Sequence, residues 1–200
     1  MCIFLLLTTV SCKTQTIVYG EPELSETAII FYPGGKVDPN AYSELCTMLS
    51  DQGIPVIVAK MPMNLAILNR NAASDIIEEY PSVENWFLGG HSLGGVMASS
   101  WAQKHRDSVS GIILLASYPT SEISIPTLSI YGSEDGVLNM KKYKKGMLRI
   151  SDLQEYVIVG GNHSQFGSYG SQKGDNEASI SREEQIGTTV SQILDFVHSH

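Results

Sequence analysis

Short runs of β-branched, aromatic and aliphatic residues recur along the chain, and longer amphipathic stretches separate them. Several runs are apolar without alternation, so we expect both faces of these strands to be buried. Buried strands that alternate with helices are typical of a parallel sheet with crossover helices. The sequence therefore predicts an α/β fold with a mostly parallel central sheet and helices on both faces. The predicted strands are Thr27–Tyr32, Pro55–Ala59, Trp86–Gly89, Gly111–Ser117, Thr127–Tyr131 and Glu155–Val159.

The amphipathic stretches predict the helices. Asp38 is a suitable N-cap, and Pro39 a suitable first residue, for a helix that ends at Gly53. Ser181 and Glu184 form a capping box for a last helix that ends near His198. The other helices are expected at 65–80, 92–105 and 140–150.

The connection from Tyr118 to Pro126 is too short for a helical crossover, so no lid can be housed there. The longest irregular segment, residues 160–181, is rich in glycine, serine and glutamine, and a loop of this length in a compact domain is typically functional. The sequence contains no interdomain linker or internal repeat. Residues 13–200 are therefore predicted to form one domain.

Charge and cysteine content exclude several classes of function. The chain has 13 Lys and Arg against 21 Asp and Glu, and its net charge of −8 disfavours nucleic acid as a partner. Three cysteines cannot build a disulfide scaffold, and no CxxC or HExxH pair indicates zinc. No cofactor or metal is therefore expected.

Residues 90–94, Gly-His-Ser-Leu-Gly, match the GxSxG sequence of a nucleophile elbow. In an elbow, a tight strand-to-helix turn presents the serine hydroxyl above the sheet. A predicted strand precedes this match and a predicted helix follows it, which is the context that the motif requires. Ser92 is therefore the candidate nucleophile.

A serine nucleophile needs a base and a carboxylate that orients the base. Of the five histidines, His163 alone follows a late strand, in Gly160-Gly161-Asn162-His163. Asp135 follows strand 127–131 through a short turn, so it is expected at the same sheet edge. Glu134 is the alternative carboxylate.

The oxyanion formed on attack needs backbone donors. The amide of Leu93 is one candidate, and the amide of Gly35, in the loop after the first central strand, is the other. Apolar residues that follow strand ends at the same edge are weaker candidates for a substrate pocket, because residues of this kind more often belong to the core. They are Met61, Met63, Leu65, Tyr118, Leu138 and Phe166.

Helix 140–150 carries a cluster of four lysines, Lys141, Lys142, Lys144 and Lys145. Such a cluster can attract an anionic partner. A solvated helix face is the interpretation that we favour for it.

The segments FYPGGKVDP, GHSLGG, YGSEDG and GGNHSQFGSYG resemble the signatures of α/β-hydrolases over residues 27–198. Within that superfamily, the chain is similar to small, lidless bacterial serine hydrolases allied to dienelactone hydrolases. The resemblance implies cleavage of a carboxylic ester through Ser92, Asp135 and His163 and an acyl-enzyme. Dienelactone hydrolases carry a cysteine where this chain has Ser92, so their substrate does not carry over.

Two alternative functions use the same fold. An acyltransferase would employ the same triad and differ only in the acceptor of the acyl group. A noncatalytic binding protein would be expected to have lost Ser92, Asp135 or His163, and all three residues are present. The expected partner is a small acyl substrate, whose identity the sequence does not predict.

The first residues allow two interpretations. An apolar run, Cys2–Leu7, precedes a small residue and Cys12, as in a bacterial lipoprotein leader, although no basic residue precedes the run. Lipidation of Cys12 would anchor an extracytoplasmic protein to a membrane. The alternative is a cytoplasmic protein in which this segment is a first strand that continues into 16–19.

Detergent partitioning in a bacterial host distinguishes the two interpretations. The leader interpretation predicts that wild-type protein enters the detergent phase and that Cys12→Ser stays unprocessed in the aqueous phase. The strand interpretation predicts aqueous partitioning of both proteins. Aqueous wild-type protein in a host that processes lipoproteins would contradict the anchor.

Overall fold

The computed structural model describes residues 14–200, which contain one seven-stranded sheet. The order of the strands is β1-β3-β2-β4-β5-β6-β7. β1 is antiparallel to β3, and all other neighbours are parallel. The strands are β1 (Thr16–Tyr19), β2 (Thr27–Tyr32), β3 (Val56–Ala59), β4 (Asn85–His91), β5 (Gly111–Leu115), β6 (Thr127–Gly132) and β7 (Leu153–Ile158).

Five α-helices cover the sheet within the described residues. α1 and α5 pack into the core on one face, whereas α2, α3 and α4 pack into the core on the other face. The predicted α/β fold with a mostly parallel sheet is confirmed. The helices are α1 (Ser43–Asp51), α2 (Ala72–Glu79), α3 (Leu93–Ala102), α4 (Met140–Met147) and α5 (Arg182–Ser199).

Burial of the strands follows their position in the sheet. β3 and β5 are buried along their whole length, as their unbroken apolar sequences predict. β7 is an edge strand, and four consecutive residues of it, Gln154 to Val157, are exposed. β5 ends at Leu115, two residues before its predicted end, because Ala116 has a φ of +47°.

The caps predicted from local sequence are present. The Asp38 carboxylate accepts a hydrogen bond from the Asn40 amide at 2.8 Å, and a 3₁₀ turn, Pro39–Tyr42, then leads into α1. The Ser181 hydroxyl accepts a hydrogen bond from the Glu184 amide at 3.1 Å. Both predicted helix starts are therefore confirmed.

The continuous helix predicted at 65–80 is wrong. The chain instead forms two 3₁₀ turns, Pro62–Asn64 and Ala66–Leu68, before α2. Leu65 (φ −125°, ψ 106°) and Asn69 (φ −138°, ψ 76°) lie outside the helical region, so the α-helix within 65–80 begins only at Ala72.

The connection between β5 and β6 contains no helix, and its one strand-like contact is a bridge between Ile123 and Ile150. The prediction of a fold without a lid at this connection is therefore confirmed. None of the helices within residues 14–200 has the length and apolarity needed to cross a bilayer. The predicted leader and Cys12 lie outside the described residues.

Candidate active site

Ser92 lies at a sharp turn between β4 and α3, with φ +51° and ψ −122°. Two flanking glycines allow this turn. A Cβ at Gly90 would lie 2.6 Å from the Gly95 nitrogen, and one at Gly94 would lie 2.2 Å from the Tyr32 carbonyl oxygen. Backbone atoms cannot move aside for a side chain, so the sequence around Ser92 folds as a nucleophile elbow.

Two hydrogen bonds tie the Ser92 backbone to the end of β5. The Ser92 amide donates to the Leu115 carbonyl at 2.9 Å, and the Ser117 hydroxyl donates to the Ser92 carbonyl at 2.7 Å. Ser117 is 1% exposed. The left-handed turn at Ala116 brings Ser117 under the elbow. Neither Ala116 nor Ser117 was predicted from the sequence as a site residue.

His163 and Asp135 meet at the same sheet edge. The His163 Nδ1 and Asp135 Oδ2 atoms are 2.8 Å apart, and both side chains are 1% exposed. The other carboxylate oxygen of Asp135 accepts from the amides of Val137 and Leu138, at 2.9 and 2.7 Å. These bonds fix the carboxylate, which orients the histidine ring.

The second ring nitrogen of His163, Nε2, is available to accept a proton. With Nδ1–H donating to Asp135, the neutral ring carries a lone pair on Nε2. This buried atom has no hydrogen-bond partner among residues 14–200, and His163 lines the same cleft as Ser92. Hydrogen bonds between nucleophile and base are often long before substrate binds, so this geometry suits a general base.

Glu134, the alternative carboxylate, does not contact the histidine. Its side chain accepts a hydrogen bond from the Ser133 hydroxyl at 3.0 Å, at an exposed position. Its backbone amide donates to the Gly161 carbonyl at 2.8 Å. The structure therefore pairs His163 with Asp135.

The Asp175 carboxylate bonds to the loops that carry Asp135 and His163. It accepts hydrogen bonds from the amides of His163 (3.3 Å), Ser164 (2.8 Å) and Gly136 (3.1 Å). One side chain thereby joins the loop of Asp135 to the loop of His163. Asp175 was not predicted from the sequence as a site residue. The only signal in the sequence is its position beside Gly174 within the long irregular segment.

Gln185 of α5 holds the same loop from the core side. Its amide oxygen accepts from the Asn162 amide at 2.9 Å, and its amide nitrogen donates to the Asn162 carbonyl at 2.8 Å. Gln185 is fully buried. The residue before His163 is therefore bonded at both of its backbone polar groups, which limits movement of the histidine.

The two candidate oxyanion donors lie side by side. A Cβ at Gly35 would be 3.0 Å from Leu93 Cδ2, so the loop after β2 contacts the first residue of α3, which follows Ser92. Neither amide donates a hydrogen bond to another group in the described part of the chain. Both amides are therefore available to donate to a developing negative charge.

Two contacts support the Gly35 loop. The Lys36 amide donates to the Asn64 carbonyl at 2.8 Å, and the Gly34 amide donates to the Tyr42 hydroxyl at 2.9 Å. Lys36 itself has a φ of +64°. The left-handed turn at Met63 and Asn64, with φ values of +53° and +54°, thus supplies an acceptor to this loop.

His91, inside the elbow motif, is fully buried between Tyr42 and His163. The Tyr42 oxygen lies 2.8 Å from His91 Nδ1. The same hydroxyl accepts a hydrogen bond from the Gly34 amide, so Tyr42 links the loop after β2 to the His91 ring. Burial, followed by the charge of His163 with a ring centroid 4.6 Å away, lowers the pKa of His91 well below its usual value. A neutral His91 therefore lies against the ring of His163.

The cleft in front of Ser92 and His163 has a volume of about 220 Å³. Tyr118 and Leu138, both singled out from the sequence, line it. Ser117 and Asn139 add polar groups, and the apolar wall consists of Leu93, Val96, Ala116, Tyr118, Val137 and Leu138.

Four other pocket candidates do not line this cleft. Phe166 is fully buried in the core beside His91, and Met61 is 5% exposed beneath the α2 side of the sheet. Met63 is 82% exposed on the turn after β3, and Leu65 ends that turn. Their positions after strand ends were correct, but their side chains face the core or solvent, which position along the chain does not reveal.

Residues 14–200 contain no cluster of three His, Cys, Asp or Glu side chains that could hold a metal ion. Another cavity, about 520 Å³, lies within the segment around 162–182 and is lined mainly by polar residues. It contains neither Ser92 nor His163.

The fold and the elbow define an α/β hydrolase, and the comparison with protein families agrees. The model of the alpha/beta hydrolase family matches residues 28–187, so the chain belongs to this family. A search among curated proteins finds no match to the sequence.

Several solved structures share the fold at low sequence identity. Est1E from Butyrivibrio proteoclasticus, solved with ferulic acid, superposes with a TM-score of 0.70 at 12% identity, over 92% of this chain and 96% of that chain. A monoacylglycerol lipase from Paleococcus ferrophilus gives a TM-score of 0.72 at 15% identity, over 92% and 99%. A thermophilic esterase from Thermogutta terrifontis gives 0.69 at 13% identity, over 92% and 94%.

The buried His91 makes stability depend on pH. Unfolded His91 binds a proton near pH 6.5, whereas the folded protein keeps it neutral to much lower pH. The unfolded state then binds more protons below pH 6.5, so the free energy of unfolding falls as pH decreases, by up to about 1.4 kcal/mol per pH unit for this group.

Urea denaturation between pH 7.5 and 4.5 measures this effect. His91→Gln is expected to show a shallower pH dependence of the free energy of unfolding than wild type. His198→Gln, at an exposed histidine, is the control for loss of one imidazole. Equal slopes for wild type and His91→Gln would show that His91 titrates alike in both states.

Proposed function

We propose that this chain is a serine hydrolase that cleaves small carboxylic esters through Ser92, His163 and Asp135. One observation carries the proposal. The Asp135–His163 hydrogen bond of 2.8 Å leaves Nε2 unpartnered in the cleft that contains Ser92 at the elbow. A base, its orienting carboxylate and a nucleophile thus converge on one open space.

In the first half-reaction, Ser92 Oγ attacks the ester carbonyl carbon while His163 Nε2 accepts its proton. Asp135 stabilises the imidazolium that results, and the amides of Gly35 and Leu93 donate to the oxyanion. The intermediate then breaks its bond to the alkoxy oxygen. His163 gives its proton to that oxygen, and the alcohol leaves an acyl group on Ser92.

In the second half-reaction, water replaces the alcohol. His163 Nε2 accepts a proton from water as its oxygen attacks the acyl carbon, and the same amides hold the second oxyanion. Collapse breaks the bond to Ser92 Oγ, which takes back the proton from His163. The carboxylic acid departs, and the starting state is restored.

The size of the cleft favours small acyl groups. A volume of about 220 Å³ lies below the range of about 300–1,000 Å³ typical of ligand pockets. No lid covers the cleft at the β5–β6 connection, so water can reach an acyl group on Ser92. The solved structures that share this fold include Est1E, a monoacylglycerol lipase and a thermophilic esterase. Their names favour esters over other acyl compounds as the substrate class.

A fluorophosphonate probe tests the nucleophile. We expect it to label wild-type protein and not Ser92→Ala, because the variant lacks the attacking oxygen. Ser108→Ala, at an exposed serine outside the cleft, should label like wild type. Removal of the nucleophile should lower kcat by on the order of 10⁶. Full labelling of Ser92→Ala would overturn the assignment.

A pair of neighbouring acids tests the orienting carboxylate. Asp135→Asn should lower kcat for 4-nitrophenyl acetate by up to about 10⁴-fold, because the amide cannot hold His163 in the required tautomer. Glu134→Gln should keep kcat within about twofold, because the Glu134 side chain bonds Ser133 and does not contact His163. The reverse ranking would transfer the role to Glu134.

A further inference from the structure

A second groove continues from the catalytic cleft. It has a volume of about 410 Å³, and it shares the apolar side chains of Leu93, Val96 and Tyr118 with the cleft of Ser92. Its far side is formed by three cations, Lys142, Lys145 and Arg149. A molecule that reacts at Ser92 can therefore extend along an apolar path towards a positively charged wall.

Close packing of α4 against the β5–β6 connection brings these cations to the groove. A Cβ at Gly146 would lie 2.9 Å from Tyr118 Cβ and 3.0 Å from the Pro119 carbonyl oxygen. Lys142 and Lys145 are three residues apart on α4, and Arg149 follows one turn later. At 1.5 Å per residue, the three cations span about 10 Å on one side of this segment.

These charges have no carboxylate partner among residues 14–200. No Asp or Glu lines the groove, and none of the three cations forms an ion pair with a carboxylate in the described part of the chain. Lys141 and Lys144 lie on the same helix but do not line the groove. Two of the four lysines therefore line the groove and the other two do not, a difference that a uniformly solvated helix face does not explain. The groove is positively charged although the chain has a net charge of −8.

We propose that the ester substrates of this protein carry an anionic group, a carboxylate, at the end remote from the scissile bond. The inference rests on the proposed function, since it concerns the same Ser92 site. A short hydrocarbon spacer would lie on Leu93, Val96 and Tyr118, and the carboxylate would contact Lys142, Lys145 and Arg149. Half-esters of dicarboxylic acids and acyl esters of hydroxy acids both have this form.

The strength of the effect follows from the exposure of the cations. Lys142 and Lys145 are exposed and Arg149 is half-buried, so solvent and salt screen their attraction for an anion. We expect about a tenfold preference in kcat/KM for an acidic substrate over its neutral counterpart at low ionic strength. The preference should approach unity near 1 M salt, where the screening length is about 3 Å.

Matched substrate pairs test the preference on either side of the ester. For the acyl side, the 4-nitrophenyl monoester of glutaric acid is compared with the same ester capped as a dimethylamide. For the alcohol side, the acetate of 4-hydroxybutyric acid is compared with its dimethylamide. We expect the acidic member of at least one pair to have the higher kcat/KM, and a preference for the neutral member of both pairs would overturn the inference.

Matched variants test whether the groove is the cause. In the triple variant Lys142→Gln, Lys145→Gln and Arg149→Gln, the acidic-to-neutral ratio of kcat/KM should fall to about one, because the anion loses its partners. The double variant Lys141→Gln and Lys144→Gln removes lysines of the same helix outside the groove, and it should keep the wild-type ratio.

The remaining outcomes separate this inference from the proposed function. A ratio that is unchanged in the triple variant, or that falls equally in the double variant, would overturn the inference alone. Hydrolysis of 4-nitrophenyl acetate with no preference in either pair would do the same. Failure of wild-type protein to hydrolyse 4-nitrophenyl acetate or any member of the pairs would overturn the proposed function, and this inference with it.

Discussion

The turn at Ser92 is the constraint on which the rest of the site depends. β4 and α3 approach so closely there that a side chain at Gly90 or Gly94 would overlap backbone atoms. This approach brings the amide of Leu93 beside Gly35 and turns the Ser92 side chain towards the cleft. The loops of Asp135 and His163 then need only to reach one fixed position, and the bonds of Asp175 and Gln185 hold them there.

Features that depend on neighbouring residues were predictable from the sequence. β2 begins and ends at the predicted residues, and the caps at Asp38 and Ser181 form as predicted. The elbow is equally local. Asp135 and His163 lie far apart in sequence, yet both could be proposed for the site, because parallel strands end at one sheet edge. The finer likeness to dienelactone hydrolases stays a prediction.

Contacts between distant segments were not predictable. Asp175 bonds a loop almost forty residues away, and nothing in its local sequence indicates that partner. Tyr42 fits an apolar helix position, but its hydroxyl also joins Gly34 to His91. The Asn64 carbonyl accepts from the Lys36 amide, a partner almost thirty residues earlier that the local sequence does not indicate. The periodicity of 65–80 predicts a continuous helix, whereas Leu65 and Asn69 leave the helical region and α2 begins only at Ala72.

The antiparallel direction of β1 affects how the molecule would lie on a surface. Thr16 pairs with Ala59, at the carboxyl end of β3, so the chain enters the sheet at the edge where the cleft opens. The Thr14 hydroxyl donates to Asp75, which ties this entry to α2. Three strand spacings, about 14 Å, separate β1 from β4, which leads into the elbow. Attachment of the molecule to a surface through the start of β1 would therefore turn the cleft towards that surface.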